Sequence, residues 1–100
     1  MPKPWFVYML RCGDGSLYVG VTNDVAARVA CHNTGRASRY TRSRLPVVLA
    51  YQEATSDRSS AQRREAELRR WGREKKLALV RRRAVGRARE DGRMRRAFRR

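Results

Sequence analysis

The chain has 100 residues, of which 25 are Lys or Arg and 9 are Asp or Glu, giving a formal net charge of +16 and a pI of about 11.6. This length suits one small domain with a modest core and excludes a second globular domain. Nearly all the basic residues are arginines, whose planar guanidinium groups match phosphate oxygens and stack on bases. The composition therefore favours a polyanionic partner, and nucleic acid first. A high-GC genome would explain arginine over lysine, but not the excess of positive charge.

The sequence contains no run of about 18 apolar residues and no long apolar stretch near its N-terminus of the kind found in secretion signals. The expected location is therefore the cytoplasm, without membrane attachment. The two cysteines, Cys12 and Cys31, lack the CxxC spacing and the companions of a zinc site, and a reducing compartment disfavours a disulfide. Both are expected to be small buried residues.

A β-hairpin is predicted at the start of the chain. Two runs rich in β-branched and aromatic residues, Trp5 to Arg11 and Ser16 to Val21, flank a glycine-containing turn. Both faces of the first run are apolar, which is typical of a central strand. Pairing brings Tyr8 and Tyr18 together if the register puts both on one face; otherwise the two rings simply cap a small core. Gly20 leaves open space beside Tyr18.

A helix is predicted from about Val25 to Asn33, because Thr22-Asn23-Asp24 supplies N-cap residues and Gly35 ends the pattern. Its apolar stripe ends at His32, the only histidine, and Arg28 lies four residues earlier on the same side. On spacing alone, His32 is either a hydrogen-bonded boundary residue or a functional group. Arg28 is either a solvated surface arginine or part of the same site.

Residues 36 to 44 form a basic, hydroxyl-rich segment between Gly35 and Pro46, and its arginines are Arg36, Arg39, Arg42 and Arg44. This pattern predicts a phosphate-contacting loop or short helix, with Tyr40 either stacking on a base or packing inward. The apolar run from Val47 to Tyr51 predicts the third strand.

A long helix, capped by Ser56 or Asp57, is predicted from about Ser59 into the early eighties, with a bend near Gly72. One face carries, at helical spacing, Ala61, Glu65, Leu68 and Trp71 or Gly72. Glu65 therefore points towards the core, where a carboxylate without a partner is costly. It either pairs with a neighbouring arginine or holds a metal ion.

The last twenty residues carry half of the net charge, with ten arginines against Glu90 and Asp91. Few apolar residues accompany them. We therefore expect residues 84 to 100 to form an arginine-rich tail that is either disordered or a helix ordered by a polyanion. Residues 1 to 83 would form the folded domain.

These motifs together resemble the GIY-YIG nuclease family, and in particular its small single-domain branch. The first family tripeptide occurs as Phe6-Val7-Tyr8 and the second, about ten residues later, as Tyr18-Val19-Gly20. Glu65 falls where the family has its glutamate. Further resemblances lie in Thr22, Asp24, Arg28, His32 and Asn33 of the first helix, in Tyr40-Thr41-Arg42 and in Pro46-Val47. The match covers residues 5 to about 80.

The resemblance implies an α/β (α+β) fold in which helices cover a three-stranded antiparallel sheet. It also implies phosphodiester hydrolysis supported by one divalent metal ion, with Glu65 holding Mg²⁺ or Mn²⁺ as a hard oxygen ligand. The basic segment and the tail would supply affinity for nucleic acid.

The same resemblance implies roles for the residues around the hairpin. Arg28 would contact the scissile phosphate. Tyr8 and Tyr18 would bracket the attacking water and the phosphate, with one of them acting as general base or binding the nucleophile. His32 would position or deprotonate the water. Gly20 would leave room for the sugar-phosphate backbone.

The leading hypothesis is a metal-dependent endonuclease acting on structured, nicked or single-stranded DNA, with DNA repair or recombination as its setting by family analogy. Because the sequence contains no second domain that would read a base sequence, site specificity is expected either to be low or to be supplied by a protein partner. One alternative is a catalytically weak module that binds DNA or RNA without cutting, and another is a basic accessory protein held on RNA or a ribosome by charge. Glu65 separates these classes, because a binding module has no use for a carboxylate aimed at phosphate.

Overall fold

The computed structural model describes residues 3–90, and their side chains as far as residue 83. The fold is α+β, as predicted. Its elements, in chain order, are β1 (Trp5–Arg11), β2 (Leu17–Thr22), α1 (Val25–Asn33), α2 (Arg39–Arg42), β3 (Val48–Thr55), α3 (Arg58–Arg70) and α4 (Arg73–Glu90). Within residues 3–90, none of the helices combines the length and hydrophobicity that crossing a lipid bilayer requires.

The sheet has three antiparallel strands in the order β2-β1-β3, which places β1 in the centre. Side chains alternate between its faces, so Val7 and Met9 pack with Leu68 of α3 on one side. Tyr8 and Leu10 belong to a second cluster, which α1 covers on the opposite side. The prediction that both faces of the first strand are covered is confirmed.

The register of the hairpin brings the two tyrosines together. Tyr8 lies opposite Gly20, and Leu10 lies opposite Tyr18, so both phenols project from the same face. Their ring centroids are 6.4 Å apart. Gly15 allows the tight turn between the strands, because its φ of 86° lies in the left-handed region that side chains disfavour. The predicted convergence of the phenols is confirmed.

The first helix begins and ends as predicted. The Asp24 side chain accepts a hydrogen bond from the amide of Ala27 as N-cap, and Gly35 follows the last turn with a φ of 80°. Cys12 is buried, as expected, but Cys31 is only half-buried. The helix turns His32 towards the core, and its neighbour Cys31 therefore faces partly outward.

Two predicted boundaries are wrong. The third strand continues past the apolar run to Thr55, because its polar end pairs with β1 and the Thr55 hydroxyl donates to the Trp5 carbonyl at 2.9 Å. The single long helix is two helices, since Trp71 has an extended backbone and Gly72 separates α3 from α4. The Trp71 ring packs against the core at this break, and α3 ends at the preceding residue. Of the predicted tail, residues 84–90 continue α4, and residues 91–100 lie outside the described residues.

Candidate active site

A pocket of about 270 Å³ lies against β2, an outer strand of the sheet. We call it the central pocket. Its wall is formed by two strands, β1 and β2, by two helices, α1 and α3, and by the segment before α2. The lining residues are Trp5, Tyr8, Tyr18, Gly20, Val21, Arg28, His32, Ala37, Arg58, Gln62 and Glu65. The fold thus brings every residue predicted for catalysis and metal binding into one cavity.

A buried chain of hydrogen bonds lies at the base of the central pocket. The Tyr8 hydroxyl is 2.9 Å from Nε2 of His32, and Nδ1 of His32 is 2.8 Å from the Thr41 hydroxyl. Tyr8 is only 2% exposed, and His32 and Thr41 are buried as well. Both imidazole nitrogens therefore have partners, which holds the ring in one orientation.

The surroundings keep this chain uncharged at neutral pH. Burial, reinforced by the nearby Arg28 charge, lowers the pKa of His32. Burial also raises the pKa of Tyr8 well above its usual range, and the neighbouring Tyr18 adds to this effect. A neutral imidazole next to a protonated phenol can accept the phenol proton when the phenol oxygen takes one from elsewhere.

Gly20 makes this arrangement possible. A Cβ atom at that position would lie 2.5 Å from Cζ and the hydroxyl oxygen of Tyr8, so any side chain would displace the phenol. The absent side chain therefore accommodates Tyr8 rather than leaving empty space beside Tyr18. Contact between Gly20 and a sugar-phosphate backbone stays a prediction. The Tyr18 ring packs near the same group, with its centroid 5.1 Å from that of His32.

Glu65 extends from α3 into the wall of the central pocket, and its side chain is 23% exposed. Its Oε2 atom is 3.1 Å from Nη2 of Arg69, one helical turn later, so the predicted arginine partner exists. Arg69 also reaches the Val19 carbonyl of β2 at 3.4 Å. Among the residues that the structure describes, no three His, Cys, Asp or Glu side chains gather as a metal site. Any metal ion in the pocket would have Glu65 as its one carboxylate.

Arginines provide the positive charge of the central pocket. Arg28 is exposed on α1 and forms no ion pair with any side chain in the described part of the chain. Sequence reasoning missed Arg58 and Gln62, which line the same cavity. Helical spacing would have found them, because they precede Glu65 by seven and three positions on one face of α3.

The arginines of the basic segment lie beside the central pocket, and Ala37 is the residue by which the segment contributes to the described wall. Arg36 precedes α2, while Arg39 and Arg42 are exposed on this short helix. Arg44 pairs with Asp14 of the hairpin turn at 3.0 Å and stacks over the Tyr40 ring at 3.9 Å. The segment was predicted to form a loop or a short helix, and α2 is a short helix. Tyr40 was predicted to stack on a base or to pack inward, and its side chain faces outward with 39% exposure.

Thr41 is the positioning residue that sequence reasoning missed. Helix α2 is only four residues long, and Thr41 is its one buried side chain. Ser38 caps the helix by accepting a hydrogen bond from the Thr41 amide, which turns the Thr41 hydroxyl towards His32. The signal available in the sequence was the Ser-x-x-Thr spacing that begins a short helix.

Comparison with known proteins agrees with this geometry. A family model described as the GIY-YIG catalytic domain matches residues 4–78. The chain belongs to the GIY-YIG family. This is a family of nucleases, which act on nucleic acid. Its relatives include the UPF0213 protein SH2523 of Staphylococcus haemolyticus, which is 48% identical over 75 residues covering 75% of this chain and 92% of the relative.

Two solved structures are similar to this chain. The solution structure of the UPF0213 protein BH0048 from Bacillus halodurans is 40% identical, with a TM-score of 0.50 over 77% of this chain and 82% of that one. The solution structure of protein EF2693 from E. faecalis is 31% identical, with a TM-score of 0.57 over 84% and 90% of the two chains. The three-stranded sheet with flanking helices is therefore the family fold in this chain.

Proposed function

We propose that the protein is a metal-dependent endonuclease that hydrolyses phosphodiester bonds in structured, nicked or single-stranded DNA in the cytoplasm. The observation that carries this proposal is the convergence of Tyr8, Tyr18, Arg28, His32 and Glu65 in one pocket. Hydrolysis needs an activated water, neutralised charge on the phosphate and help for the departing oxygen. The pocket contains side chains for each requirement.

The donor set around Glu65 fits a Mg²⁺ or Mn²⁺ ion. Mg²⁺ binds through one or two carboxylates, retains several waters and takes substrate phosphate oxygens as further ligands. Glu65 supplies one carboxylate, and the neighbouring Gln62 supplies an amide oxygen in the same cavity. The bound ion would supply Lewis-acid polarisation of the phosphate and charge for the departing oxygen. Arg69 pairs with the same carboxylate, with 3.1 Å between Nη2 and Oε2.

Tyr8 and His32 provide the base of the proposed reaction. The Tyr8 oxygen takes a proton from the attacking water while its own proton moves to Nε2 of His32, over the 2.9 Å hydrogen bond. Nδ1 of His32 keeps its proton and donates it in a hydrogen bond to Thr41. This transfer leaves a neutral phenol and an imidazolium, so the unfavourable buried phenolate is never formed.

Arginines orient and neutralise the phosphate. Arg28 contacts the scissile phosphate, because it lines the central pocket and has donors available for two phosphate oxygens. Arg58, held over the Trp5 ring with 5.4 Å between its Cζ atom and the ring centroid, supplies a second guanidinium. The arginines at positions 36, 39, 42 and 44 hold the strand outside the pocket through its backbone.

One observation favours the alternative of a DNA- or RNA-binding module. Glu65 is already engaged by Arg69, as expected of a purely structural ion pair. A binding module would keep or gain affinity when Glu65 is neutralised, because a negative charge next to phosphate disappears. A nuclease would bind and fail to cut.

The test compares Glu65→Gln with Glu67→Gln in cleavage of labelled single-stranded, duplex, flap and branched DNA, with Mg²⁺, Mn²⁺ or EDTA. Glu67 is a matched control, because it lies on the same helix, pairs with Arg64 and does not line the central pocket. We expect metal-dependent cutting that Glu65→Gln lowers at least about 100-fold and that Glu67→Gln leaves unchanged. Binding without cutting on every substrate would overturn the nuclease and favour the binding module.

A further inference from the structure

A second concave surface adjoins the central pocket and shares only Tyr18 with it. We call it the side groove. Its volume is about 440 Å³, and it lies between β2, α2 and the junction of α3 with α4, lined by Leu17, Tyr18, Val19, Tyr40, Arg69 and Lys76. The proposed active site includes Tyr18 and, as the ion-pair partner of Glu65, Arg69, and it assigns no role to the other residues of the side groove.

One wall of the side groove is aromatic and aliphatic. The rings of Tyr18 and Tyr40 are 6.0 Å apart between centroids and 30° from parallel, and side chains of β2 extend the surface. Arg44 stacks on the Tyr40 ring, with 3.9 Å between its Cζ atom and the ring centroid, and pairs with Asp14 of the hairpin turn. An aromatic wall of this kind suits the flat face of a nucleobase, which stacks on aromatic rings without regard to sequence.

The opposite side of the side groove is cationic. Arg69 and Lys76 line it, and none of the Asp or Glu side chains within residues 3–83 does. Arg69 also contacts Glu65, so this cation stands between the side groove and the central pocket. An apolar wall facing two cations matches the two parts of one nucleotide, a base and a phosphate.

We propose that the side groove binds the nucleotide next to the cleaved bond, with its base against Tyr18 and Tyr40 and its phosphate on Arg69 and Lys76. This inference rests on the proposed nuclease function, because it places the scissile phosphate in the central pocket across Tyr18. The side groove would select single-stranded DNA or unpaired ends, because a base inside a duplex is stacked on both faces and cannot lie against the aromatic wall.

The experiment measures binding alone. Fluorescence anisotropy in EDTA measures the affinity of each variant for a labelled oligothymidylate at several salt concentrations. Lys76→Gln is compared with Lys75→Gln, which removes the same charge from the neighbouring residue. Lys75 is a suitable control, because it lies over the Trp71 ring, with its Nζ atom 4.2 Å from the ring centroid, and does not line the side groove. We expect Lys76→Gln to weaken binding and to make the slope of log affinity against log salt shallower by about 0.7, the value for one phosphate contact on a single strand. Lys75→Gln should leave both quantities unchanged.

Tyr40→Ala tests the aromatic wall, with Tyr40→Phe as the conservative partner. We expect about tenfold weaker oligothymidylate binding for the alanine variant and wild-type binding for the phenylalanine variant, because the ring face and not the hydroxyl makes the contact. Thermal melts followed by circular dichroism establish that each variant is folded.

Two results would overturn the inference: equal effects of Lys75→Gln and Lys76→Gln, or an equal loss on duplex DNA of the same length. Both results concern binding without metal and leave the nuclease proposal standing if wild-type cleavage is observed. Conversely, a protein that never cuts but shows the Lys76 and Tyr40 effects retains a strand-binding groove and loses only the nuclease activity.

Discussion

The central pocket and the side groove share Tyr18 but are built from different kinds of side chain. In the central pocket, Tyr8, His32 and Thr41 are buried and joined by hydrogen bonds of 2.9 and 2.8 Å. In the side groove, Tyr40 and Arg69 are exposed and Lys76 is half-buried. Under the proposed function, the buried hydrogen-bonded groups position the attacking water, whereas the residues of the side groove supply affinity for the strand. Substitutions in the two regions should therefore change different measured quantities.

The largest effect is expected from Tyr8→Phe, which removes the hydroxyl and keeps the ring. Loss of the proposed base should lower the single-turnover cleavage rate about 10²- to 10⁴-fold, with little change in strand binding. Tyr51→Phe is the control, because the Tyr51 hydroxyl donates to Glu53 outside the central pocket. A similar loss of rate in both variants would contradict the role of Tyr8.

Arg28→Gln should lower the cleavage rate about 10²- to 10³-fold, because it removes a cation from the phosphate in the transition state. Its effect on folding should be small, since the side chain is exposed. Arg63→Gln removes an exposed arginine of α3 that bonds only to Ser59 and Ser60 among the described residues. If Arg63→Gln slows cleavage as much as Arg28→Gln, net charge and not phosphate contact explains the loss.

Thr41→Val separates positioning from stability. The substitution keeps the shape of the side chain but leaves Nδ1 of His32 buried without a partner, which should lower the free energy of unfolding by about 1 to 3 kcal/mol. Thr34→Val, which removes an exposed hydroxyl at the end of α1, should change it by less than about 0.5 kcal/mol. Urea denaturation measures both. Thr41→Ser should restore most of the stability, and its failure to do so would assign the loss to packing.

The pH dependence of stability reports on His32. Its pKa in the folded protein lies below the usual value of 6.5, so the unfolded chain binds this proton first as the pH falls. The free energy of unfolding should therefore decrease below about pH 6.5 and continue to decrease until the folded histidine is protonated. Urea denaturation from about pH 8 to about pH 5 should show a shallower decrease in His32→Gln. An unchanged pH profile in that variant would show that other groups cause it.

The smallest effect is expected on the basic segment. Arg39→Gln should make the salt slope of strand binding shallower by about 0.7 to 0.9 and leave cleavage at saturating strand unchanged, because Arg39 lies outside the central pocket. Arg70→Gln removes an exposed arginine of α3 that lines neither cavity. Equal salt slopes for the two variants would mean that the basic segment has no special part in strand binding.

The hairpin could be predicted because side chains on paired strands alternate with a period of two. The face of α3 that carries Glu65 could be predicted in the same way from helical spacing. Convergence of Tyr8 and Tyr18 depended on a strand register that the sequence left open. The structure supplies this register by placing Gly20 opposite Tyr8 and Leu10 opposite Tyr18.

The remaining parts depend on contacts between distant segments. Thr41 follows His32 by nine residues in the chain, and the two side chains meet because α2 packs beside α1. The break after Arg70 depends on the Trp71 ring, which is drawn into the core instead of continuing the helical stripe. By contrast, the ion-pair partner of Glu65 could have been predicted from helical spacing, because Arg69 is the one arginine three or four residues away from it.

The close approach of residues 8 and 20 limits how this protein can change under selection. A larger residue at position 20 would collide with the Tyr8 ring. A smaller residue at position 8 would remove that collision, but it would also delete the hydroxyl that bonds His32. Under the proposed function, each single substitution in this pair therefore disturbs either the position of the Tyr8 hydroxyl or its hydrogen bond to His32. In a saturation library, functional variants should therefore keep both Tyr8 and Gly20.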